Sequence, residues 1–258
     1  MKIATYNVNG VNGRLPVLLE WLAEAGPDVV CLQELKCETA DFPEQALLKI
    51  GYSSVWESQK SWNGVAILSR DGKPVVTRRR LPGDPSDRQA RYIEAAVDGI
   101  LVGCLYLPNG NPQPGPKFDY KMKWFRRLAR HGAVLQKLGH GAVLVGDYNV
   151  APTDLDIYPT KSWAKDALVQ PAPRKAFASL VAKGWTDAIR ELYGEERVYT
   201  FWTYWRNRYE RDDGLRLDHL LLSPDLASKL TEGGVDSDIR GEEGASDHAP
   251  VWISLQRQ

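Results

Sequence analysis

The chain has 258 residues, 43% of them hydrophobic and 26% charged, a composition that excludes the fibrous and disordered classes and allows one large layered core. Its 33 basic and 33 acidic side chains cancel, which removes the positive excess of a non-specific nucleic-acid binder and leaves any basic surface local. Cys31, Cys37 and Cys104 lack CxxC spacing and two of them lie in apolar runs, so they read as reduced thiols, not as a zinc or disulfide framework.

The first apolar run, KIATYNV, has strand character and ends in Asn7 and Asn9. It turns polar at Thr5 before a signal-peptide core can form, and no later run reaches the ~18–20 apolar residues of a membrane span. A cytoplasmic protein without membrane attachment is expected. Leu15 to Ala25, with Pro16 near its start, has a helical pattern. The runs DVVCLQE, GVAILSR, YIEAAV and ILVGCLYL follow as further buried strands. The proline-rich loop Pro108–Pro116 is too short to act as a linker between domains. Beyond it, Phe118 to Leu138 predicts a long helix, AVLVGD a strand, Arg174 to Lys183 a helix, LDHLLLS a strand, Pro224 to Thr231 a helix and VWISL a last strand. The aromatic string YTFWTYW, 199–205, reads equally as a core strand and as a recognition element. Strands and helices mixed throughout imply an α/β protein, expected to form a single domain over residues 1–258.

A local theme repeats along the chain: an apolar strand stops at a carboxylate, an amide or a histidine. Asn7 and Asn9, Gln33-Glu34, Tyr106, Asp147 and Asn149, Asp218, and Ser246-Asp247-His248 all sit at such places. Taken singly, most are turn or cap residues. Glu34 differs, because a carboxylate between Leu32 and Leu35 needs a partner. As a set, they converge if the strand ends share one edge of a sheet. They supply oxygen ligands without thiolates or paired histidines, the ligand chemistry of Mg²⁺, for which Mn²⁺ is expected to substitute. Phosphoester hydrolysis uses such a cation together with a base, donors facing phosphorus and help for the leaving oxygen.

The strings NVNG (7–10), LQELK (32–36), NGVAILSR (63–70), GDYNVAPTDLDIY (146–158), LRLDHLLLSP (215–224) and SDHAPVW (246–252) resemble, in order and along nearly the whole chain, the exonuclease III branch of the endonuclease/exonuclease/phosphatase superfamily. The resemblance implies a DNase I-like four-layer α/β sandwich, two packed β-sheets flanked by helices. It implies Mg²⁺-dependent DNA repair: incision of duplex DNA 5′ to abasic sites, 3′→5′ exonuclease action and cleaning of 3′ ends, carried out by a monomer. It makes Glu34 the main metal carboxylate, with Asn7, Asn9 and Asp247 near the metal. Asp147 activates or positions the water and Asn149 holds that water or a phosphate oxygen, although the base is assigned to Asp or His in different members. His248 faces phosphorus, held by Asp218. Tyr106 serves a phosphate oxygen or the leaving group, Asn109 contacts the DNA backbone, and Phe201, Leu215 and Leu217 form an apolar pocket for a sugar without its base. Leu215 stands where mammalian members place Trp, and Asn9 where they carry Asp.

Basic clusters at Arg78–Arg80, Lys117–Arg130 and Arg206–Arg211 offer phosphate contacts, each with a solvated-face alternative. Two rival functions stay open at this level. One is a phosphoesterase of the same superfamily acting on another phosphodiester or phosphomonoester. The other is a non-catalytic DNA-binding relative, whose signature would be loss of Glu34, Asp147, Asn149, Asp218 or His248, all of which are present.

Overall fold

A computed structural model describes residues 1–256. Its strands are β1 (Lys2–Asn7), β2 (Val29–Gln33), β3 (Ser53–Glu57), β4 (Val65–Ser69), β5 (Val75–Arg78), β6 (Tyr92–Val97), β7 (Ile100–Tyr106), β8 (Ala142–Asp147), β9 (Thr186–Asp187), β10 (Asp218–Leu222), β11 (Leu230–Val235) and β12 (Val251–Leu255). The helices are α1 (Leu15–Ala25), α2 (Glu44–Lys49), α3 (Pro116–Lys137), α4 (Pro171–Val181), α5 (Ala188–Tyr193) and α6 (Pro224–Ala227). Two sheets of six strands run in the orders β11-β12-β1-β2-β4-β3 and β5-β6-β7-β8-β10-β9.

Period-two alternation decides the layers. Ile3, Cys31 and Ile67 of the first sheet meet Val102, Cys104, Val143, Val145 and Leu220 of the second in the space between them. Their neighbours Ala4, Tyr6, Val30 and Leu32 point outward, under Leu18, Trp21 and Leu22 of α1 and Leu47 of α2. On the far side Leu144 and Leu221 pack beneath Trp124, Phe125 and Leu128 of α3 and Phe177 and Leu180 of α4. The result is the four-layer sandwich that the resemblance implied. Each fully buried Leu, Ile or Val contributes about 1.5–3 kcal/mol, and three such interfaces share the load.

Each sheet has one parallel pair at its centre, β1 with β2 and β7 with β8. Parallel neighbours end together, so Asn7 lies opposite Gln33 and Tyr106 opposite Asp147, while antiparallel β10 brings Asp218 beside Asp147. One edge of the sandwich thereby collects the polar strand ends.

One expectation needs correction, and two readings gain detail. The helix expected over Pro224 to Thr231 is only the turn α6; the chain then pairs as β11 against β12, with a register shift between Leu230 and Glu232. The aromatic string is not a strand: it makes isolated bridges from Phe201 to Leu215 and His248 and then leaves as turns. Glu34 stands just past β2 instead of within it, at φ +55°. The cysteines are free and buried, and among the described residues no helix is long and apolar enough to cross a membrane.

Candidate active site

The two sheets meet chemically at Asn7, the last residue of β1. Its Nδ2 donates to Glu34 Oε1 at 2.8 Å and to Asp147 Oδ2 at 3.0 Å, so one amide ties a carboxylate of the first sheet to one of the second. Its Oδ1 accepts from the Asn9 backbone N–H at 3.0 Å. Asn9 reaches on through Nδ2 to Asp247 Oδ1 at 3.0 Å. Ser246 Oγ donates to the Asn7 carbonyl at 2.6 Å and fastens the Ser-Asp-His segment to β1.

Several of these residues occupy the left-handed backbone region, where a side chain costs of order 1–3 kcal/mol. Asn9, Glu34, Lys36 and Asn149 have φ between +47° and +55°. The turns they make aim polar groups inward from the ends of buried strands.

Asp147 and Asn149 form a tight unit at the end of β8. The Asn149 N–H donates to Asp147 Oδ1 at 2.7 Å, and its Nδ2 donates to the Leu107 carbonyl at 2.9 Å and to Asp147 Oδ2 at 3.2 Å. Asn109, exposed at the rim, donates to Asn149 Oδ1 at 3.1 Å. Beneath them Lys121 of α3 donates to the carbonyls of Asn109 at 2.9 Å and Asn149 at 2.5 Å. Burial pulls its ammonium down to about 7. In sequence Lys121 is one of the basic Lys117–Arg130 cluster and carries no sign of this clamp, since only closure of the loops brings the carbonyls around it.

His248 is locked from behind. Its Nδ1 donates to Asp218 Oδ2 at 2.7 Å, and the same oxygen accepts from Thr200 Oγ1 at 2.6 Å. Thr200 also accepts from the backbone N–H groups of Leu217 and Asp218, so it fixes the acid that fixes the histidine. Nothing in its sequence context distinguishes it from an ordinary β-branched residue. Burial works against a charge on His248, but the Asp218 carboxylate, then Asp147 and Asp247, overcome it and raise the ring to about 10. His248 is therefore a cation at neutral pH, with Nε2 3.9 Å from Asp147 Oδ2. The Phe201 ring lies 4.8 Å from the imidazole, centroid to centroid. Leu215 and Leu217 lie beneath it in a buried cluster, and of the three only Phe201 is half-buried.

Burial also raises Asp147, to about 7; Asp218 and Glu34 push the same way while His248 opposes them. For Glu34, burial is more than offset by Lys36 and by the Asn7 amide, which hold it below the ordinary carboxylate range. Tyr106 keeps its proton, because burial and the charges of Glu34 and Asp147 raise it well above its usual value. Arg91 stacks on its ring at 4.7 Å and donates to its carbonyl at 3.2 Å.

Glu34, Asp147 and His248 present ligand atoms within 4.8 Å of one another. Since His248 carries a proton, the oxygens remain as ligands, as a hard cation prefers. A cation already sits against Glu34: the Lys36 ammonium lies 2.7 Å from its Oε2 and 2.5 Å from Asn9 Oδ1. The oxygen donors thus fit a hard cation.

This layered fold, with paired carboxylates and a charged Asp–His couple at one edge, defines a metal-assisted phosphoesterase. The family model described as the Endonuclease/Exonuclease/phosphatase family matches residues 4–248, and the chain belongs to that family. It is 32% identical to exodeoxyribonuclease III of Haemophilus influenzae over 99% of this chain and 100% of that one. Among solved structures, an AP endonuclease from Archaeoglobus fulgidus superposes with a TM-score of 0.93 at 35% identity, covering both chains completely. The 3′ phosphatase NExo from Neisseria, bound to product DNA hairpin, gives 0.93 at 39%, again over both whole chains.

Proposed function

We propose that the chain is a Mg²⁺-dependent DNA repair nuclease that hydrolyses phosphodiester bonds in duplex DNA 5′ to abasic sites, trims 3′ ends and removes 3′ blocking groups. The observation that carries this reading is the Asn7 amide joining Glu34 to Asp147 with the His248 cation 3.9 Å away, a constellation with oxygen ligands, a base and an anion stabiliser on one edge. Full-length similarity to an exodeoxyribonuclease III, an AP endonuclease and a 3′ phosphatase supports DNA as the substrate. When bound beside Glu34 and Asn9, Mg²⁺ supplies Lewis-acid polarisation of a non-bridging phosphate oxygen.

The residues divide the remaining work. Asp147, raised to about 7, takes the proton of an attacking water that Asn149 helps to hold. His248 faces the charge that builds on the phosphate oxygens. Tyr106, still protonated, donates toward the leaving oxygen. Asn109 meets the backbone at the rim, and Phe201 over Leu215 and Leu217 gives an apolar seat to a sugar whose base is missing. Asp247 keeps Asn9 turned toward the ion. We take the enzyme to work as a monomeric single domain in the cytoplasm.

The test is a duplex with one stable abasic analogue, incubated with Mg²⁺ or EDTA and resolved on a denaturing gel. A Mg²⁺-dependent nick immediately 5′ of the analogue is expected. A ladder from the 3′ ends alone would remove the abasic assignment and leave the chemistry; absence of cleavage with any divalent ion would remove both.

A further inference from the structure

Lys36 has no task in the hydrolysis set out above, yet its placement is tightly specified. Its backbone N–H donates to the Asn63 carbonyl at 3.0 Å, and the flanking Leu35 accepts from the Val11 N–H at 3.1 Å, so loops on both sides fix the turn. With φ of +55° at Glu34 and +52° at Lys36, the two side chains come together. Nζ then sits 2.7 Å from Glu34 Oε2 and 2.5 Å from Asn9 Oδ1. The other Glu34 oxygen, Oε1, is engaged by Asn7 at 2.8 Å. The ammonium therefore covers the carboxylate oxygen and the amide oxygen that the oxygen-loving ion needs.

We propose that Lys36 is a tethered counter-cation seated in the metal position: it holds Glu34 and Asn9 in place when metal is absent and swings out to solvent when a divalent ion enters. The inference rests on the metal reading of this site and adds a built-in competitor to it. An ammonium and a divalent ion repel at such range and cannot share the same two oxygens. Lys36 has a flexible four-carbon stem and is partly exposed, so an exit is open. Only molecules with Lys36 displaced accept the ion, and the apparent dissociation constant rises by the inverse of that fraction.

Mg²⁺ is titrated calorimetrically into the wild-type protein, Lys36→Met and Lys36→Arg, and each is melted in EDTA and in saturating Mg²⁺. Methionine keeps the apolar stem, and a cooperative transition in EDTA shows that the variant is folded. Lys36→Met is expected to bind Mg²⁺ about five- to tenfold more tightly. It should melt lower than wild type in EDTA, where Glu34 has lost its cation and keeps only the Asn7 amide, and gain more from the ion. Lys36→Arg should bind no more tightly than wild type. Equal or weaker binding by Lys36→Met, with wild type binding normally, overturns the competitor and leaves the metal reading intact. Absence of Mg²⁺ binding in all three overturns the metal reading and this inference together.

Discussion

At the scale of single residues, the site's protonation states make a pH prediction. In the proposed mechanism Asp147 acts as a carboxylate, and burial raises it to about 7, so kcat/KM should rise as pH climbs through that value. In the same mechanism His248 acts as a cation, which Asp218 holds up to about 10, so activity should fall again as pH passes that point. Asp218→Asn removes the charge that sustains the imidazolium, and the upper limb should move down toward neutrality with a loss in kcat of roughly 10²–10⁴. A pH–rate profile of wild type and variant on a 3′-phosphate end checks both limbs; an unmoved upper limb would show that His248 is not the group that titrates. Glu34→Gln keeps the side chain's size but loses the charge and one of the two acceptor oxygens, and calorimetry should show Mg²⁺ binding lost. Asp147, Asn149, Asp218 and His248 were legible in the sequence because polar types at the ends of apolar strands are visible one at a time, and the ordered motifs joined them. Thr200, Lys36 and Lys121 were not, because their significance comes from a neighbour distant in the chain: Asp218, Asn9 and the Asn149 carbonyl respectively.

At the scale of elements, the segment leading into β10 is anchored from its opposite face. Leu215 and Leu217 turn to the apolar cluster, whereas Arg216 between them is buried with Nε 2.7 Å from Asp156 and both Nη atoms 2.9 Å from Asp187. Arg190 adds a second cation on Asp156 at 2.6 Å. Arg216→Met would leave Asp187 buried without its arginine and Asp156 with Arg190 alone, a loss of about 3–5 kcal/mol by urea unfolding at neutral pH. Although burial opposes it, Arg216 holds both carboxyls below their ordinary values. Groups with depressed folded pKa values contribute their stability above the unfolded pKa of about 4 and lose it as pH falls through the folded value. The deficit of Arg216→Met should therefore be full at alkaline pH and shrink as pH falls and the variant's Asp187, raised by burial once its arginine is gone, takes up a proton; a deficit constant with pH would mean the cost is lost packing. A second element-level constraint is Gly146, at φ +147°, where an added Cβ would lie 1.9 Å from the Leu105 carbonyl oxygen of the paired strand. Gly146→Ala should push β7 and β8 apart, displace Asp147 and leave little folded protein, as circular dichroism would show. The central strands and α1 and α3 were readable from their apolar periods. Edge strands were not: β11, LTEGGV, has few apolar residues and owes its conformation to pairing with β12, a contact outside any local window.

At the scale of the whole molecule, a protein with no net charge must grip a polyanion with a local surface. The three basic clusters do not contribute alike. In the α3 cluster Lys121 is spent on backbone carbonyls and Arg127 on Asp87 at 2.6 Å, both inside the protein. In the 206–211 loop Arg208 and Arg211 share Asp213, whereas Arg206 is exposed, two residues from Tyr204. That tyrosine's hydroxyl reaches Asn9 and Arg14 at 3.5 Å, and the adjoining Trp205 is 72% exposed, so this loop stands beside the proposed ion site. Phosphate contacts release counterions, and each one lost should flatten the plot of log K against log salt by about 0.9. Arg206→Ala is therefore expected to weaken duplex binding at low salt and reduce the slope by about one contact, equally for abasic and intact duplex. Arg127→Gln should lower the melting temperature, because Asp87 is left buried without its cation, while the slope stays at the wild-type value. Fluorescence anisotropy across a salt series separates the two. An unchanged slope in Arg206→Ala would move the gripping surface away from the 206–211 loop, to the exposed Arg78–Arg80 cluster at the end of β5, on the opposite edge of the second sheet from β9.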